Sequence, residues 1–399
     1  MEALSCDVRL ATADVRDFLA PRHVLNGDGA SRHLGQALTA WGMAPGRALV
    51  VCDSFLAKSG LIDMVLGGLS GAGWTLEIFS DVTGEPTIAD AEQLVERARS
   101  FDPSLVVGVG GGSAMDLAKV AALLVTNDGP VEAHVGVDLS ERPPVALALV
   151  PTTTGTGAET TRIAMLADAS GKRIVSNRLL MPLVAVLDVE LVMGLPAPVT
   201  SSTGMDALAH ATESFLSRSG TVLSTTMSLR AVELLREWLP IAFEQPDNKK
   251  ARRATLYGAF LAGLGLNAGV VLGHSMAYTV ANRAHVPHGV TCAMALPFCL
   301  AYNASGNIEG SDHLANRLTG GRYGDLRSAA DWLLELNDIL RLPTSPLVVG
   351  IPQSEIDPMA IECAEKYPRP TNPVAMTPES LKPLYRAWFA RDLESASAF

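Results

Sequence analysis

The pattern of apolar residues changes character near residue 196, and this change limits the fold more than any other feature. Before it, short apolar runs alternate with helical patterns. Residues 47–52 (RALVVC), 74–79, 105–109 (LVVGV), 145–150 (VALALV) and 183–187 (LVAVL) read as strands. Several are apolar at nearly every position, not at every second one. That is the mark of strands covered on both faces, as in parallel sheets flanked by helices. Between them, 87–100 and 113–126 carry helical spacing. Each opens with a hydroxyl residue and an Asp three positions on, Thr87 with Asp90 and Ser113 with Asp116, the spacing of a capping box. The first half is therefore expected to be an α/β domain with a mainly parallel sheet.

After Leu195-Pro196-Ala197-Pro198, a natural hinge, the strand signals fade. The segments 201–217, 222–238, 250–269, 273–283, 325–340 and 377–391 all carry helical spacing. The expected organisation is a Rossmann-like domain over 1–197 and an all-helical domain over 198–399. A chain of 399 residues is long for a single core, which agrees. The crevice between two such domains is the expected ligand site.

The formal net charge is −11. The densest basic stretch, Asn248-Lys249-Lys250-Ala251-Arg252-Arg253, reads as a solvated helix start, so no nucleic-acid partner is expected. The five cysteines form no CxxC pair, and the N-terminus shows no basic region followed by an apolar run. Both features favour a reducing, cytoplasmic setting. Residues 254–282 contain no Asp, Glu, Lys or Arg. Their five glycines and His274 fit a buried helix pair better than a membrane span.

Two loops follow expected strands. Gly108-Val109-Gly110-Gly111-Gly112-Ser113 leaves the run at 105–109 and opens a helix. Glycines there let backbone approach phosphate oxygens, and the helix N-terminus favours their charge. Ser113 can cap the helix and donate to a phosphate. The motif is not the GxGxxG fingerprint, and glycine runs also mark ordinary tight turns. Pro151-Thr152-Thr153-Thr154-Gly155-Thr156-Gly157 leaves the run at 145–150. Polar loops at the carboxyl ends of parallel strands are where such sheets bind ligands, although a Thr-rich turn can also serve as a simple cap. Asp53 ends the first strand. Its carboxylate can accept from a ribose diol and would repel a 2′-phosphate, favouring NAD over NADP; an ordinary turn Asp fits the same spacing.

In the second half, Asp206 and His210 stand four apart and share one face of a helix whose intervening residues are apolar. A buried carboxylate needs a partner. A metal ion is one; a direct Asp–His hydrogen bond is another, and the pair alone leaves both open. His274 and His288 extend the group to one oxygen and three nitrogens, a set suited to Fe(II) or Zn(II).

At this point the chain resembles the iron-containing (group III) alcohol dehydrogenases. The resemblance rests on Gly110-Gly111-Gly112-Ser113 with Asp116 and Lys119, and on Pro151-Thr152-Thr153 with Gly155-Thr156 and Glu159. It continues through Asp206, Ala207, His210 and Glu213, then His274-Ser275-Met276-Ala277 and Pro287-His288-Gly289. It implies a dinucleotide-binding α/β domain followed by a helical domain, the architecture shared with dehydroquinate synthases. It implies an iron site, with zinc as the alternative, at Asp206, His210, His274 and His288. It implies cofactor contacts from Asp53, Gly110, Gly111, Gly112, Ser113, Asp116, Thr152, Thr153, Thr156 and Lys172. The implied activity is metal-assisted hydride transfer between a small alcohol, or its aldehyde or ketone, and NAD(H), in a homodimer.

One position departs from the pattern. Many relatives carry a second His four residues after the one at 274, and here Tyr278 stands there. A phenol is a poorer proton acceptor at neutral pH than an imidazole. Tyr278 is nevertheless retained as a candidate catalytic residue, and His285 lies near enough in sequence to take over a proton relay. Tyrosine at this place also resembles the hydroxyacid–oxoacid transhydrogenases, so a carboxylated substrate is an alternative. A non-redox NAD- and metal-dependent cyclase and a non-catalytic binding protein are further readings on the same architecture.

Overall fold

The computed structural model describes residue 9, residues 15–169 and residues 171–396. The chain divides into two compact units, Leu19–Met193 and Gly194–Phe399, the residues before 19 grouping with the second. The boundary falls a few residues before the Pro-rich hinge, so Leu195 and Pro196 belong with the helices.

The first unit contains β1 (His23–Asn26), α1 (Leu34–Ala40), β2 (Arg47–Asp53), α2 (Ser54–Ser59), α3 (Asp63–Ser70), β3 (Thr75–Val82) and α4 (Ile88–Phe101). It continues with β4 (Leu105–Gly110), α5 (Gly112–Leu124), β5 (Gly136–Val137), β6 (Ala146–Pro151), β7 (Ile163–Asp168), β8 (Gly171–Ser176) and β9 (Val184–Leu187). Six strands form one parallel sheet in the order β1-β9-β6-β4-β2-β3. Its two faces are both buried. Val106 on β4 packs with residues of α4 and α5, whereas Val107 and Val109 pack with residues of α1 and α3. This is why the strand runs are apolar throughout.

From β2 the chain first builds outward to β3, then returns to place β4 on the other side of β2. The direction of growth therefore reverses between β2 and β4, and in an open parallel sheet the carboxyl ends flanking that reversal form the natural ligand crevice. Asp53 ends β2 and the glycine loop ends β4.

The capping box expected for α4 forms: Thr87 Oγ1 accepts from Asp90 N, and Asp90 Oδ2 accepts from Thr87 N at 2.8 Å. The one expected for α5 does not. Its N-cap is Gly111, no side chain caps it, and Ser113 lies inside the helix. The helices α1, α2 and α3 escaped the sequence pattern, as did two strand features. β1 is a four-residue edge strand whose residues alternate between half-buried and exposed, and a separate three-stranded sheet joins β5, β8 and β7.

The second unit is helical throughout the described residues: α6 (Ala197–Leu216), α7 (Val222–Glu244), α8 (Lys249–Gly265), α9 (Leu272–Ala281), α10 (His288–Asn303), α11 (Ser311–Thr319), α12 (Leu326–Ile339), α13 (Ile356–Lys366), α14 (Pro378–Ala390) and α15 (Leu393–Ala396). The sequence pattern did not resolve α10, α11 or α13. In α10 nearly every residue is buried and Pro297 lies inside, so no polar face marks its period. The uncharged stretch is the pair α8 and α9, largely buried and bent by 107° at a short break. No single described helix is long and apolar enough to cross a membrane.

α10 packs on α6, α9 and α12. At Gly289 the approach to α6 is at backbone level, since a Cβ there would lie 2.0 Å from Ser202 O. Only a residue without a side chain lets α10 start so close to α6. Gly289→Ala should therefore destabilise the fold by about 1–3 kcal/mol through forced separation of the two helices. Thermal unfolding reads this, and an unchanged melting temperature would show that the contact relaxes freely.

Candidate functional site

Asp206, His210 and Glu213 recur at i, i+4 and i+7 on α6, so one helix face carries all three. His274 stands in the first turn of α9 and His288 opens α10. The fold brings the four expected ligands together. Asp206 Oδ1 lies 3.8 Å from His210 Nε2, 3.8 Å from His274 Nε2 and 3.7 Å from His288 Nε2.

These distances argue against a direct Asp–His hydrogen bond. They exceed hydrogen-bond length, and Asp206 Oδ1 is buried without a hydrogen-bond partner. Leaving a buried carboxylate oxygen unsatisfied is costly. Four donors placed about 2.1 Å from a common tetrahedral ion would be spaced at roughly 3.4 Å. The three spacings from Asp206 Oδ1 are close to that value, while His210 lies outside the set Asp206, His274, His288 and Cys292 whose donor atoms all lie within 4.8 Å of one another; the donor chemistry suits iron or zinc. The residues therefore fit a divalent cation.

Glu213 organises the group from behind. Its Oε1 accepts from His274 Nδ1 at 2.6 Å, and its Oε2 accepts from the backbone N–H of Val271 at 2.9 Å and of His274 at 3.2 Å. With the proton on Nδ1, His274 presents the Nε2 lone pair toward Asp206. Burial pushes the Asp206 carboxyl up, but the imidazoles of His210, His288 and His274 outweigh it and hold it below the usual carboxylate range. Burial pulls His274 down, yet Glu213 and Asp206 raise it above its ordinary value.

Cys292 was not anticipated. It lies one turn after His288 on α10, with Sγ 3.5 Å from His288 Nε2 and 3.8 Å from His274 Nε2. Asp206, His274, His288 and Cys292 offer donor atoms that all lie within 4.8 Å of one another. The signal was an H-x-x-x-C spacing, unreadable while α10 went unrecognised as a helix. Tyr278 stands one turn after His274, its ring stacked on His288 at 5.8 Å and edge-on to His274 at 6.4 Å. Burial pushes its phenol up to about 12, so it keeps its proton. His285 is exposed in the α9–α10 connector.

The expected cofactor residues of the first unit fall into two sets. Gly110, Gly111 and Gly112 follow β4, and the Thr loop follows its neighbour β6, with Thr152 N donating to Gly110 O at 2.9 Å. A Cβ at Gly112 would lie 2.8 Å from Thr156 Cγ2, and one at Gly111 would lie 3.5 Å from Thr153. The two loops thus face each other, and at Gly112 a side chain would press on Thr156, whereas at Gly111 it would make only an ordinary contact. The uncapped start of α5 leaves its first N–H groups for an anion. Together these features fit a dinucleotide's pyrophosphate. Asp53 ends the adjacent strand, but its Oδ1 also caps α2 by accepting from Leu56 N at 2.8 Å.

The second set, Asp116 and Lys172, already has protein partners. Asp116 is buried, and its Oδ2 accepts from Met165 N on β7 at 3.0 Å. Burial pushes its carboxyl up to about 6 against the pull of Lys119. It ties α5 to the small sheet and does not form the expected box with Ser113, because the helix begins earlier, at Gly112. Lys119, also buried, donates to Thr161 Oγ1 at 2.9 Å and Ile163 O at 2.6 Å. Lys172 lies on β8 and pairs with Glu85.

Glu213→Gln should weaken metal affinity about 10–100-fold, since it disturbs the group that fixes His274 without removing a ligand. Competition with a chromophoric chelator reads this. Unchanged affinity would show that Glu213 only satisfies backbone at the start of α9.

Residues 21–189 match the family model for iron-containing alcohol dehydrogenase, and residues 200–389 match that for the C-terminal part of the same family. The chain is 32% identical to long-chain-alcohol dehydrogenase 1 of Geobacillus thermodenitrificans, covering 86% of this chain and 89% of the relative. It is 30% identical to the NAD-dependent methanol dehydrogenase of Bacillus methanolicus, covering 91% and 97%. Its fold matches a sulfoacetaldehyde reductase from Bifidobacterium kashiwanohense, solved in complex with NAD+, with a TM-score of 0.85, 25% identity and coverage of 95% and 100%. Both family models and the clustered Asp206, His210, His274 and His288 agree: the chain belongs to the iron-containing alcohol dehydrogenase family.

Proposed function

We propose that this protein catalyses metal-assisted hydride transfer between a small alcohol, or the matching aldehyde or ketone, and NAD(H). The observation that carries this reading is Asp206 Oδ1, buried, unbonded and almost equidistant from three imidazole nitrogens. Asp206, His210, His274 and His288 would hold iron or zinc, with Cys292 beside them. A divalent ion there supplies Lewis acidity toward the substrate oxygen and lowers the pKa of an alcohol.

The chain's own groups do the rest. Glu213 sets the tautomer of His274 and keeps its ring in place. Tyr278 retains its phenolic proton and offers a hydrogen bond beside His288. Gly110, Gly111, Gly112 and Ser113 would receive the pyrophosphate, Thr152, Thr153 and Thr156 would border it, and Asp53 would take the ribose diol. Asp116 and Lys172 are better read as supports of the small sheet than as direct contacts. Bound NAD(H) would supply the hydride chemistry at nicotinamide C4, which is intrinsic to the cofactor. The relatives' names, an NAD-dependent methanol dehydrogenase and a reductase bound to NAD+, support this cofactor and favour a redox reaction over a cyclase. A homodimer free of nucleic acid and membrane, in the cytoplasm, is the setting we propose; the net charge of −11 disfavours polyanionic partners. A transhydrogenase differs by retaining its nucleotide and turning over without added NAD.

Absorbance at the NADH band, with alcohols, hydroxyacids and aldehydes, tests the reaction directly. His274→Ala is expected to lose bound metal and activity together, and full activity in metal-free protein would sink the mechanism. Asp53→Ser keeps a cap on α2 while removing the charge. It should raise kcat/KM for NADP relative to NAD by about tenfold, roughly 1.4 kcal/mol. An unchanged ratio would reduce Asp53 to its capping role.

A further inference from the structure

A guanidinium with no carboxylate partner stands beside the metal-binding group. Arg369 lies between α13 and α14, half-buried. Its Nε donates to Ser275 Oγ at 3.1 Å, and Ser275 Oγ donates to Tyr367 O at 2.7 Å. Its Cζ lies 5.9 Å from the centre of the Tyr278 ring, the same ring that stacks on His288. Ser275 directly follows His274 on α9. The head of Arg369 is thus fastened to the helix that carries one metal ligand and packed on the aromatic ring that touches another.

Acidic residues nearby are already engaged. Glu362 accepts from Arg283 and from Asn282, and Glu355 accepts from Arg283 at 2.6 Å. Arg369 has no ion pair among the described residues, and its only side-chain hydrogen bond uses Nε. Its terminal nitrogens remain available. A fixed positive charge beside a cation site is unfavourable unless an anion comes to lie near both. Packing on Tyr278 stiffens the guanidinium, and its planar fork matches a carboxylate or sulfonate with two parallel hydrogen bonds.

We propose that Arg369 holds the anionic end of the substrate, so that the preferred substrate is a short-chain aldehyde or alcohol bearing a carboxylate or a sulfonate. This rests on the oxidoreductase reading above, with the reacting oxygen at the Asp206–His288 group and the anion one aromatic ring away. Tyr278 forms the wall between the two ends.

The test compares 4-oxobutanoate and sulfoacetaldehyde with the neutral butanal, using NADH and the metal-loaded enzyme. At least one anionic aldehyde should exceed butanal in kcat/KM by about tenfold or more, and the better one identifies carboxylate or sulfonate as the group recognised. Arg369→Met should lower kcat/KM for that substrate about 100-fold, mostly through KM, with butanal falling at least tenfold less. Arg369→Lys should recover part of the loss. A wild-type preference for butanal, an equal fall for both classes, or a rise only in the KM for NADH would overturn the proposal. Calorimetric titration of 4-hydroxybutanoate into the metal- and NAD-loaded protein separates the two readings without turnover. Binding that vanishes in Arg369→Met, in a protein that reduces no aldehyde, would keep the anion site and reject the oxidoreductase. Absence of binding together with absence of anion preference would reject the site itself.

Discussion

A carboxylate buried in the middle of an apolar helix is the constraint on which the helical unit depends. Asp206 sits in α6 among Ala207, Leu208 and Ala209, all fully buried. Removing a carboxylate from water costs several kcal/mol even after relaxation, an order-of-magnitude figure. Compensation has to come from side chains brought in from other parts of the chain. α6 contributes His210, α9 contributes His274 and α10 contributes His288, so three helices must meet at one oxygen. The packing details follow from that need. Gly289 lets α10 touch α6 at backbone level one residue after His288, and Glu213 ties the start of α9 to α6 through two backbone N–H groups and the His274 ring.

The sheet unit answers a different constraint. A parallel sheet buried on both faces leaves only its strand ends for chemistry, and the reversal between β2 and β4 opens the carboxyl edge there. The polar residues of that edge share their work with the fold. Asp53 caps α2, so its carboxylate is oriented before any ligand arrives. α5 has no side-chain cap, as is also true of several other helices of the chain. Its N-terminus gains stability when an anion takes the place of the cap. The missing Ser113 cap is thus consistent with binding, although the sequence spacing argued for the opposite.

Legibility in the sequence tracked the strength of the periodic signal. The central strands β2, β4 and β6 were visible because burial on both faces makes them continuous apolar runs. β1 and the three-stranded sheet were not: β1 has four residues and β5 two, and β7 and β8 lack the continuous burial of the central strands. The proposed ligands Asp206 and His210 were suggested by their helical spacing, whereas His274 and His288 needed motif order along the chain to be placed with them. Cys292 stayed hidden because α10 is buried almost all round and carries Pro297, so nothing marked it as a helix. Asp116 was misread for a related reason: its spacing from Ser113 imitates a cap, and only tertiary structure shows its carboxylate on Met165 of β7. Arg369 lies outside every motif that carried the resemblance, and its role depends on contacts with Ser275 and Tyr278 that no local pattern encodes.

The departure at Tyr278 and the position of Arg369 account for each other. An imidazole at 278 would stand one turn from His274 and against the guanidinium, and each proton it took up would place two like charges in contact. A phenol held protonated by its burial stays neutral there. Its ring presents a π face to which a guanidinium is attracted, and its hydroxyl still offers a hydrogen bond. Exchanging an acid–base group for a neutral donor therefore removes a proton acceptor from the site but permits a permanent cation beside it. A site arranged in this way gives up adjustable protonation at 278 and gains a fixed charge, which serves recognition of an anion more directly than it serves proton relay.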